Sequence, residues 1–125
     1  MQTFGKHERL CGELAIELLF TKGNSMFKHP LRMVWRLSDN NSGYRVLFSI
    51  PKRNFRRAVD RNRIRRLMRE IYRRHKHLLT ELKPGKGCDL AFVYVAKTMP
   101  EYKNLEPIII LLLQRLNQEY EKTLH

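Results

Sequence analysis

Several residue types that would indicate other classes of protein are scarce in this 125-residue sequence. The two cysteines, Cys11 and Cys88, lack the spacing of a metal site or a redox pair, so we expect free, partly buried thiols in a reducing compartment. The longest apolar run, residues 108–113, is too short to span a bilayer. The first residues also lack the apolar stretch of a secretion signal, and we therefore expect a cytoplasmic protein.

Acidic residues are few as well, because 12 Asp and Glu accompany 25 Lys and Arg, for a formal net charge of +13. No paired carboxylates, nucleophile–base arrangement or Gly-rich phosphate loop is visible, which argues against an autonomous enzyme. His75 and His77 do not converge on a metal from one helix, and we expect both to face solvent. The length predicts a single domain over residues 1–125, with residues 1–7 as a flexible arm.

The positive charge is concentrated in residues 52–77, where 12 Lys and Arg accompany only Asp60 and Glu70. Four apolar residues recur there at the spacing of a helix that packs on a core: Ile64, Leu67, Met68 and Ile71. Four arginines recur every fourth residue and should form a ridge: Arg61, Arg65, Arg69 and Arg73. We expect Glu70 to pair with Arg66 or Arg74. Because the other guanidinium groups repel one another, the ridge predicts a polyanionic partner with phosphate groups.

The hydrophobic pattern predicts an α+β fold. Residues 8–22 have helical spacing with a start nearer Glu13, and a weak pairing segment is expected around residues 26–27. Residues 31–37 and 44–50 alternate as half-buried strands, which we expect to pair as an antiparallel hairpin. The basic helix should cover residues 58–79. A buried strand over residues 89–96 and a last helix with Pro107 in its first turn should follow.

One face or edge groove of so short a sheet is expected to stay open, lined by Phe20, Arg32, Trp35 and Arg36. Aromatic residues such as Phe20 and Trp35 belong more often to a core than to a ligand site. In an open groove they would instead stack on unpaired bases of single-stranded RNA. Both alternatives are compatible with the sequence.

Residues 60–70, with the sequence DRNRIRRLMRE, closely resemble the Arg-Asn-Arg signature of the protein subunit of bacterial ribonuclease P. Residues 45–54 are similar to the strand of that family that leads into a Lys/Arg pair. Residues 8–10 and 20–23 match its arginine–leucine start and its Phe-x-x-Gly helix end. The resemblance implies a small two-layer sandwich of order α-β-β-β-α-β-α. It also implies a mixed four-stranded sheet with a left-handed β-α-β crossover.

In this family the ribonucleoprotein is an endonuclease that hydrolyses a phosphodiester bond in precursor tRNA and so removes the 5′ leader. The resemblance implies that a large RNA subunit with bound Mg²⁺ is catalytic, while the protein docks that RNA and holds the single-stranded leader. It implies no catalytic residue in the protein, and we expect no metal site or tightly bound cofactor there. It also implies a monomer in a 1:1 complex with the RNA.

Carried over by position, the resemblance assigns two groups of residues. RNA-binding residues would be Lys52, Arg53, Arg56, Arg57, Arg61, Asn62, Arg63, Arg65, Arg66, Arg69 and Arg73. The leader-binding cleft would contain Ile16, Phe20, Arg32, Val34, Trp35 and Arg36. Three positions depart from the family pattern, since an aromatic residue is frequent at Ile16, and Leu47 and Pro51 replace small residues before the basic pair.

The main alternative is a ribosome- or DNA-associated basic protein with no part in RNA cleavage. An autonomous nuclease fits less well because no catalytic group is visible. A binder of anionic membranes also fits less well, because the apolar stripe of the basic helix is needed for the core. We therefore expect an RNA partner and no membrane.

Overall fold

The computed structural model describes residues 8–39 and 43–123, so the arm predicted for residues 1–7 lies outside the described residues. The described chain contains three α-helices, a short 3₁₀ segment and one sheet. The elements are α1 (Glu13–Lys22), β1 (Asn24–Lys28), β2 (Leu31–Ser38), β3 (Gly43–Ser49), α2 (Ala58–His75), the 3₁₀ segment (Lys76–Leu78), β4 (Gly87–Tyr94) and α3 (Tyr102–Thr123). The predicted α+β class and the order α-β-β-β-α-β-α are confirmed.

The sheet is mixed, and its strands lie in the order β1-β2-β4-β3. β2 pairs antiparallel with β1 and β4, whereas β3 pairs parallel with β4. The predicted hairpin between residues 31–37 and 44–50 is therefore wrong, because β4 lies between those two strands. β4 is buried along nearly its whole length, and a strand that is apolar on both faces gains most from a central position. The handedness of the β3-α2-β4 connection stays a prediction of the resemblance.

The main core lies between one face of the sheet and the helices α2 and α3. The rings of Phe48 on β3, Phe92 on β4 and Tyr72 on α2 meet there, with centroids 5.9 to 6.2 Å apart. Aromatic pairs at such distances each contribute about 0.5–1.5 kcal/mol beyond the area that they bury. The buried residues of α2 are Ile64, Met68, Ile71 and Tyr72. These contacts fix the basic helix along the sheet.

Two helix boundaries differ from the prediction. α3 begins at Tyr102, so Pro107 is its sixth residue rather than part of its first turn. The earlier start is explained by Leu105, which is buried in the main core and whose N–H donates to the carbonyl of Glu101 at 3.1 Å. α2 ends at His75, whose Nε2 lies 2.8 Å from a carboxylate oxygen of Glu106 on α3. The expectation that His75 faces solvent is therefore wrong.

α1 packs on the opposite face of the sheet. Leu10 and Leu19 form a second apolar cluster there with Val34 of β2 and Ala91 of β4. The N–H of Leu10 donates to the carbonyl of Val46 at 2.9 Å, which attaches the segment before α1 to β3. Among the helices that the structure describes, none is long and apolar enough to cross a bilayer.

Both cysteines are free, but only one is buried. Cys11 is exposed, in contrast to the prediction, whereas Cys88 is 1% exposed in the main core. Burial, together with the neighbouring Asp89 carboxylate, raises the pKa of the Cys88 thiol to about 12. The folded state therefore retains the thiol proton at a pH where the unfolded chain releases it.

We predict that this thiol makes stability depend on alkaline pH. Because the folded pKa lies above the ordinary value, the contribution is complete below about pH 9 and decreases up to about pH 12. In a Cys11→Ser background, the free energy of unfolding in urea is measured for chains with Cys88 and with Cys88→Ala. Over this pH range it should fall by about 1.4 kcal/mol more per pH unit for the chain with Cys88. Burial also raises the pKa of Tyr44 and of Tyr72, but this effect of burial is common to both chains and cancels in the difference. A difference that does not change with pH would contradict the prediction.

We also predict that Gly23→Ala destabilises the fold by about 1–3 kcal/mol, because the site at the end of α1 is already filled. A Cβ there would lie 2.9 Å from the carbonyl oxygen of Trp35 and 3.0 Å from Cγ1 of Val34, and closer still to the carbonyl oxygen of Leu19. The control is Asn24→Ala at the next, exposed position, which should change the free energy of unfolding little. Equal stabilities for the two variants would exclude this close approach.

Candidate nucleic-acid interface

The basic surface begins in the loop between β3 and α2. Lys52, Arg53, Arg56 and Arg57 are all exposed in this loop. Phe55 between them is buried, and its ring centroid lies 6.0 Å from that of Tyr94. The buried ring anchors the loop on the core, so its four cations are held at the surface in a defined arrangement.

Arg61, in the first turn of α2, is directed towards this loop rather than fully into solvent. Its Nη1 donates to the carbonyl of Phe55 at 2.8 Å and to the carbonyl of Arg56 at 2.9 Å. Carbonyl oxygens that accept from a guanidinium group are held more firmly than those that accept from a neutral donor. Arg61 therefore fixes the position of the basic loop relative to α2.

Arg65 has a similar role one turn later. Its Nε donates to the carbonyl of Phe48 on β3 at 3.3 Å, and its Nη1 donates to Oδ1 of Asn62 at 2.7 Å. Arg61 and Arg65 lie on the predicted ridge, but both use some of their donors to hold parts of the protein together. Both remain partly exposed, and their assignment as RNA contacts stays a prediction.

The reason for this difference is the position of Tyr72. Tyr72 is 1% exposed and belongs to the buried face of α2, although the apolar spacing of the sequence did not include it. At about 100° per residue, Tyr72 lies between Arg61 and Arg65 in angle, so the buried face extends to the two arginines. The signal that would have located this edge is the spacing of four between Met68 and Tyr72.

The arginines further round the helix have a different environment. Arg63, Arg66 and Arg69 are exposed, as is Asn62. Within the described residues, none of these three guanidinium groups has an ion-pair or hydrogen-bond partner. They form the exposed arginine set of α2, and their charges are not compensated by the part of the protein that the structure describes.

The two acids of α2, Asp60 and Glu70, pair with residues outside the exposed arginine set. Asp60 lies 4.0 Å from Arg57. Glu70 accepts hydrogen bonds from Arg73 and Arg74, which lower the pKa of its carboxyl group. The predicted pairing with Arg74 is confirmed, whereas the alternative pairing with Arg66 is not formed. Arg73 was predicted to bind RNA, but part of its charge is already compensated by Glu70.

The sheet has an open row on the face that carries α1. The register places Val34, Ala91 and Leu47 in one row, which lies in the apolar cluster under α1. The neighbouring row remains partly exposed and consists of Phe27, Arg32, Val93 and Ser49. Phe27 is 55% exposed at one end of this open row. Ser49 at the other end is the last residue of β3, so the open row leads to the basic loop.

α1 presents two of the residues predicted to form the leader cleft. Phe20 is 37% exposed and offers an aromatic surface. Ile16 is half-buried against the second apolar cluster, together with Leu47. Phe20 is therefore available to a ligand, whereas Ile16 mainly supports the packing of α1 on the sheet.

The prediction that Val34 and Trp35 line the leader cleft is wrong. Trp35 is 5% exposed, and its side chain belongs to the main core on the face opposite Arg32. Val34 is 1% exposed beneath α1. Neither side chain lines the open row, because alternate residues of a strand point to opposite faces and α1 covers the middle of its face. For Trp35 the core alternative is correct.

Arg36 is separated from the open row. It lies beside the buried Asp89, which accepts hydrogen bonds from Arg45 at 2.9 and 3.0 Å. Arg36 is four residues from Arg32 along β2, about 13 Å at the usual rise, and the row covered by α1 lies between them. A single groove therefore cannot contain both arginines. Phe27, Val93 and Ser49 were not predicted from the sequence, and only the weak strand around residues 26–27 pointed to one of them.

The acidic, histidine and cysteine side chains do not form a metal site among the described residues, where no group of three or more is close enough to hold a metal ion.

Comparisons with known proteins agree with this architecture. The family model described as Ribonuclease P matches residues 4–117. A ribonuclease P protein component from Porphyromonas gingivalis is 40% identical over 110 residues, which cover 83% of this chain and 80% of that protein.

Two solved structures have the same fold. The RNase P protein from Thermotoga maritima matches with a TM-score of 0.72 and 22% identity, over 86% of this chain and 96% of that chain. The RNase P protein of Staphylococcus aureus matches with a TM-score of 0.67 and 18% identity, over 87% and 94% of the two chains. Together with the family match over nearly the whole sequence, these findings show that the chain belongs to the family of ribonuclease P protein components.

Proposed function

We propose that this chain binds the catalytic RNA subunit of a ribonuclease P ribonucleoprotein and holds the single-stranded 5′ leader of precursor tRNA. The ribonucleoprotein would remove that leader by endonucleolytic hydrolysis in the cytoplasm, with one copy of the chain per RNA. Membership of the family supports an RNA partner. The family resemblance assigns an RNA-docking surface and a leader cleft, and the geometry of α2 and of the sheet supports the particular residues that we place in each.

The exposed arginine set of α2 is the observation that carries the proposal. Arg63, Arg66 and Arg69 lie on a helix that is fixed to the core, and within the described chain no acid compensates them. Such an arrangement binds the phosphates of a nucleic acid favourably because binding releases condensed counterions. Together with the cations of the anchored loop, the helix offers two groups of exposed basic residues to a folded RNA.

The open row of the sheet is the surface that we assign to the leader. Single-stranded RNA is held by aromatic side chains that stack on bases and by cations that contact the backbone. The exposed ring of Phe20 on α1 supplies the first feature, and Arg32 supplies the second. Because the open row leads to the basic loop, a leader bound there would join the RNA docked on α2.

The chemistry itself is assigned to the RNA subunit. Mg²⁺ bound by that RNA would supply the activated water and stabilise the leaving oxygen. The residues of this chain hold substrate and RNA in position, and none of them is assigned a proton transfer. The alternative of a ribosome- or DNA-associated protein shares the basic surface, but it gives no role to the open row.

We predict that the triple variant Arg63→Gln, Arg66→Gln, Arg69→Gln binds the large RNA with a weaker dependence on salt. The slope of log K against log salt concentration should fall by about 0.7–0.9 for each phosphate that the protein no longer neutralises. Filter binding over a series of KCl concentrations measures this slope. Thermal unfolding should change little, because these side chains make no interactions that hold the described fold together.

The control for this prediction removes three charges elsewhere, with Lys83→Gln, Lys86→Gln and Lys122→Gln. These lysines lie near the beginning of β4 and the end of α3, at the end of the sheet away from the start of α2. Their removal should leave the slope close to that of the wild type. Equal slopes for the two triple variants would exclude α2 as a specific docking surface. Duplex DNA that competes as well as the large RNA for the protein would exclude it too.

We predict that Phe20→Ala weakens binding of precursor tRNA to the complex reconstituted with the large RNA, but not binding of mature tRNA. Loss of one stacked base corresponds to a decrease of about fivefold to a hundredfold in affinity. Leu14→Ala is the matched control, since Leu14 is 71% exposed on the same helix. Equal effects on both tRNAs would show that Phe20 does not contact the leader.

A further inference from the structure

A second groove lies between α2 and the segment that joins β4 to α3. It has a volume of about 530 Å³, within the range of sites that bind small molecules and cofactors. Its walls include Arg63, Arg66 and Leu67 of α2, Met99 and Pro100 of the joining segment, and Tyr102 at the start of α3. The groove shares two arginines with the exposed set of α2, but it is separate from the open row of the sheet.

We propose that this groove holds a single unpaired nucleotide of an RNA bound to α2. The base lies on the apolar surface of Leu67, Met99 and Pro100, and the adjoining phosphate is bound by Arg63 and Arg66. This inference rests on the proposed function, because it requires an RNA on α2. It adds a site that recognises RNA structure to a surface that otherwise recognises only backbone charge.

The apolar part of the groove suits a base. Met99 is 39% exposed, and Leu67 and Pro100 are half-buried, so apolar area remains in contact with water. A thioether is polarisable and makes favourable contacts with aromatic rings. A base inside a duplex has both faces covered by its neighbours, so only an unpaired base can cover this surface.

The charges around the groove favour a phosphate. Arg63 and Arg66 have no partner within the described residues. The acids at the rim are already engaged, because Glu70 interacts with Arg73 and Arg74, and Glu101 lies 3.7 Å from Lys103. The net free charge beside the apolar surface is therefore positive, as an RNA backbone requires.

One end of the groove is held rigid by a network between α2 and α3. The hydroxyl of Tyr102 lies 3.2 Å from a carboxylate oxygen of Glu106, which is also 2.8 Å from Nε2 of His75. The guanidinium carbon of Arg74 lies 5.7 Å from the centroid of the Tyr102 ring. A wall fixed in this way loses little conformational freedom when a ligand binds, which favours affinity.

The test uses the full chain labelled with ¹³C at the methionine methyl groups. It is titrated with an RNA hairpin that carries a single-nucleotide bulge and with the same hairpin fully paired. We expect the Met99 methyl resonance to shift with the bulged hairpin only, and the bulged hairpin to bind roughly tenfold more tightly. Met99→Ser identifies the resonance by its disappearance.

The same variant tests the energetics. Met99→Ser should abolish the preference for the bulged hairpin and leave the affinity for the paired hairpin unchanged. Leu14→Ser removes an exposed apolar side chain elsewhere and should retain the preference. Equal affinities for the two hairpins with an unshifted Met99 resonance would overturn the nucleotide site but leave the proposed function intact.

Two further outcomes are decisive. If the protein bound neither of the two hairpins nor the large RNA, the proposed function and this inference would both be overturned. A Met99 shift produced by polyglutamate but by neither hairpin would also overturn the inference, because it would show that the groove takes an acidic peptide.

Discussion

The packing of Tyr72 and its neighbours on α2 against Phe48 and Phe92 is the interaction on which the structure depends. Repulsion between the many arginine charges of α2 destabilises this helix. Full burial of each large apolar side chain contributes about 1.5–3 kcal/mol, which offsets that repulsion and holds the helix in one orientation. A fixed orientation matters for binding, because phosphates at set positions can be matched only by cations at set positions.

The arginines of α2 divide into two roles according to their angle from the buried face. Arg61 and Arg65 border that face and use their donors on backbone carbonyls and Asn62. Arg63, Arg66 and Arg69 point further out and keep their donors for a partner. The sequence predicted the helix and its basic character correctly, since both follow from local spacing. The division between the roles depends on Tyr72, whose burial is decided by rings on other strands.

The sheet shows the same limit of prediction from local patterns. Alternating residues located β2 and β3, and the apolar run located β4, because burial on one or both faces leaves its mark within a strand. The partner of each strand is not encoded locally, so the expected hairpin between β2 and β3 was wrong. The choice of Trp35 as a cleft residue was wrong because α1 and α2 cover opposite faces of the sheet. Alternation within a strand predicts which face of the sheet each residue lies on, but not which face the helices leave open.

The central position of β4 also has a consequence during protein synthesis. Residues 43–75 contain β3 and the complete basic helix, yet the strand that pairs with β3 and completes the floor beneath α2 is made afterwards. Until residue 94 has left the ribosome, the apolar stripe of α2 has no complete surface to pack on. Contacts between residues that are distant in the sequence form slowly, because the entropy cost of loop closure comes before their stabilising effect. The nascent chain therefore acquires an oriented basic helix only when most of its length has been translated.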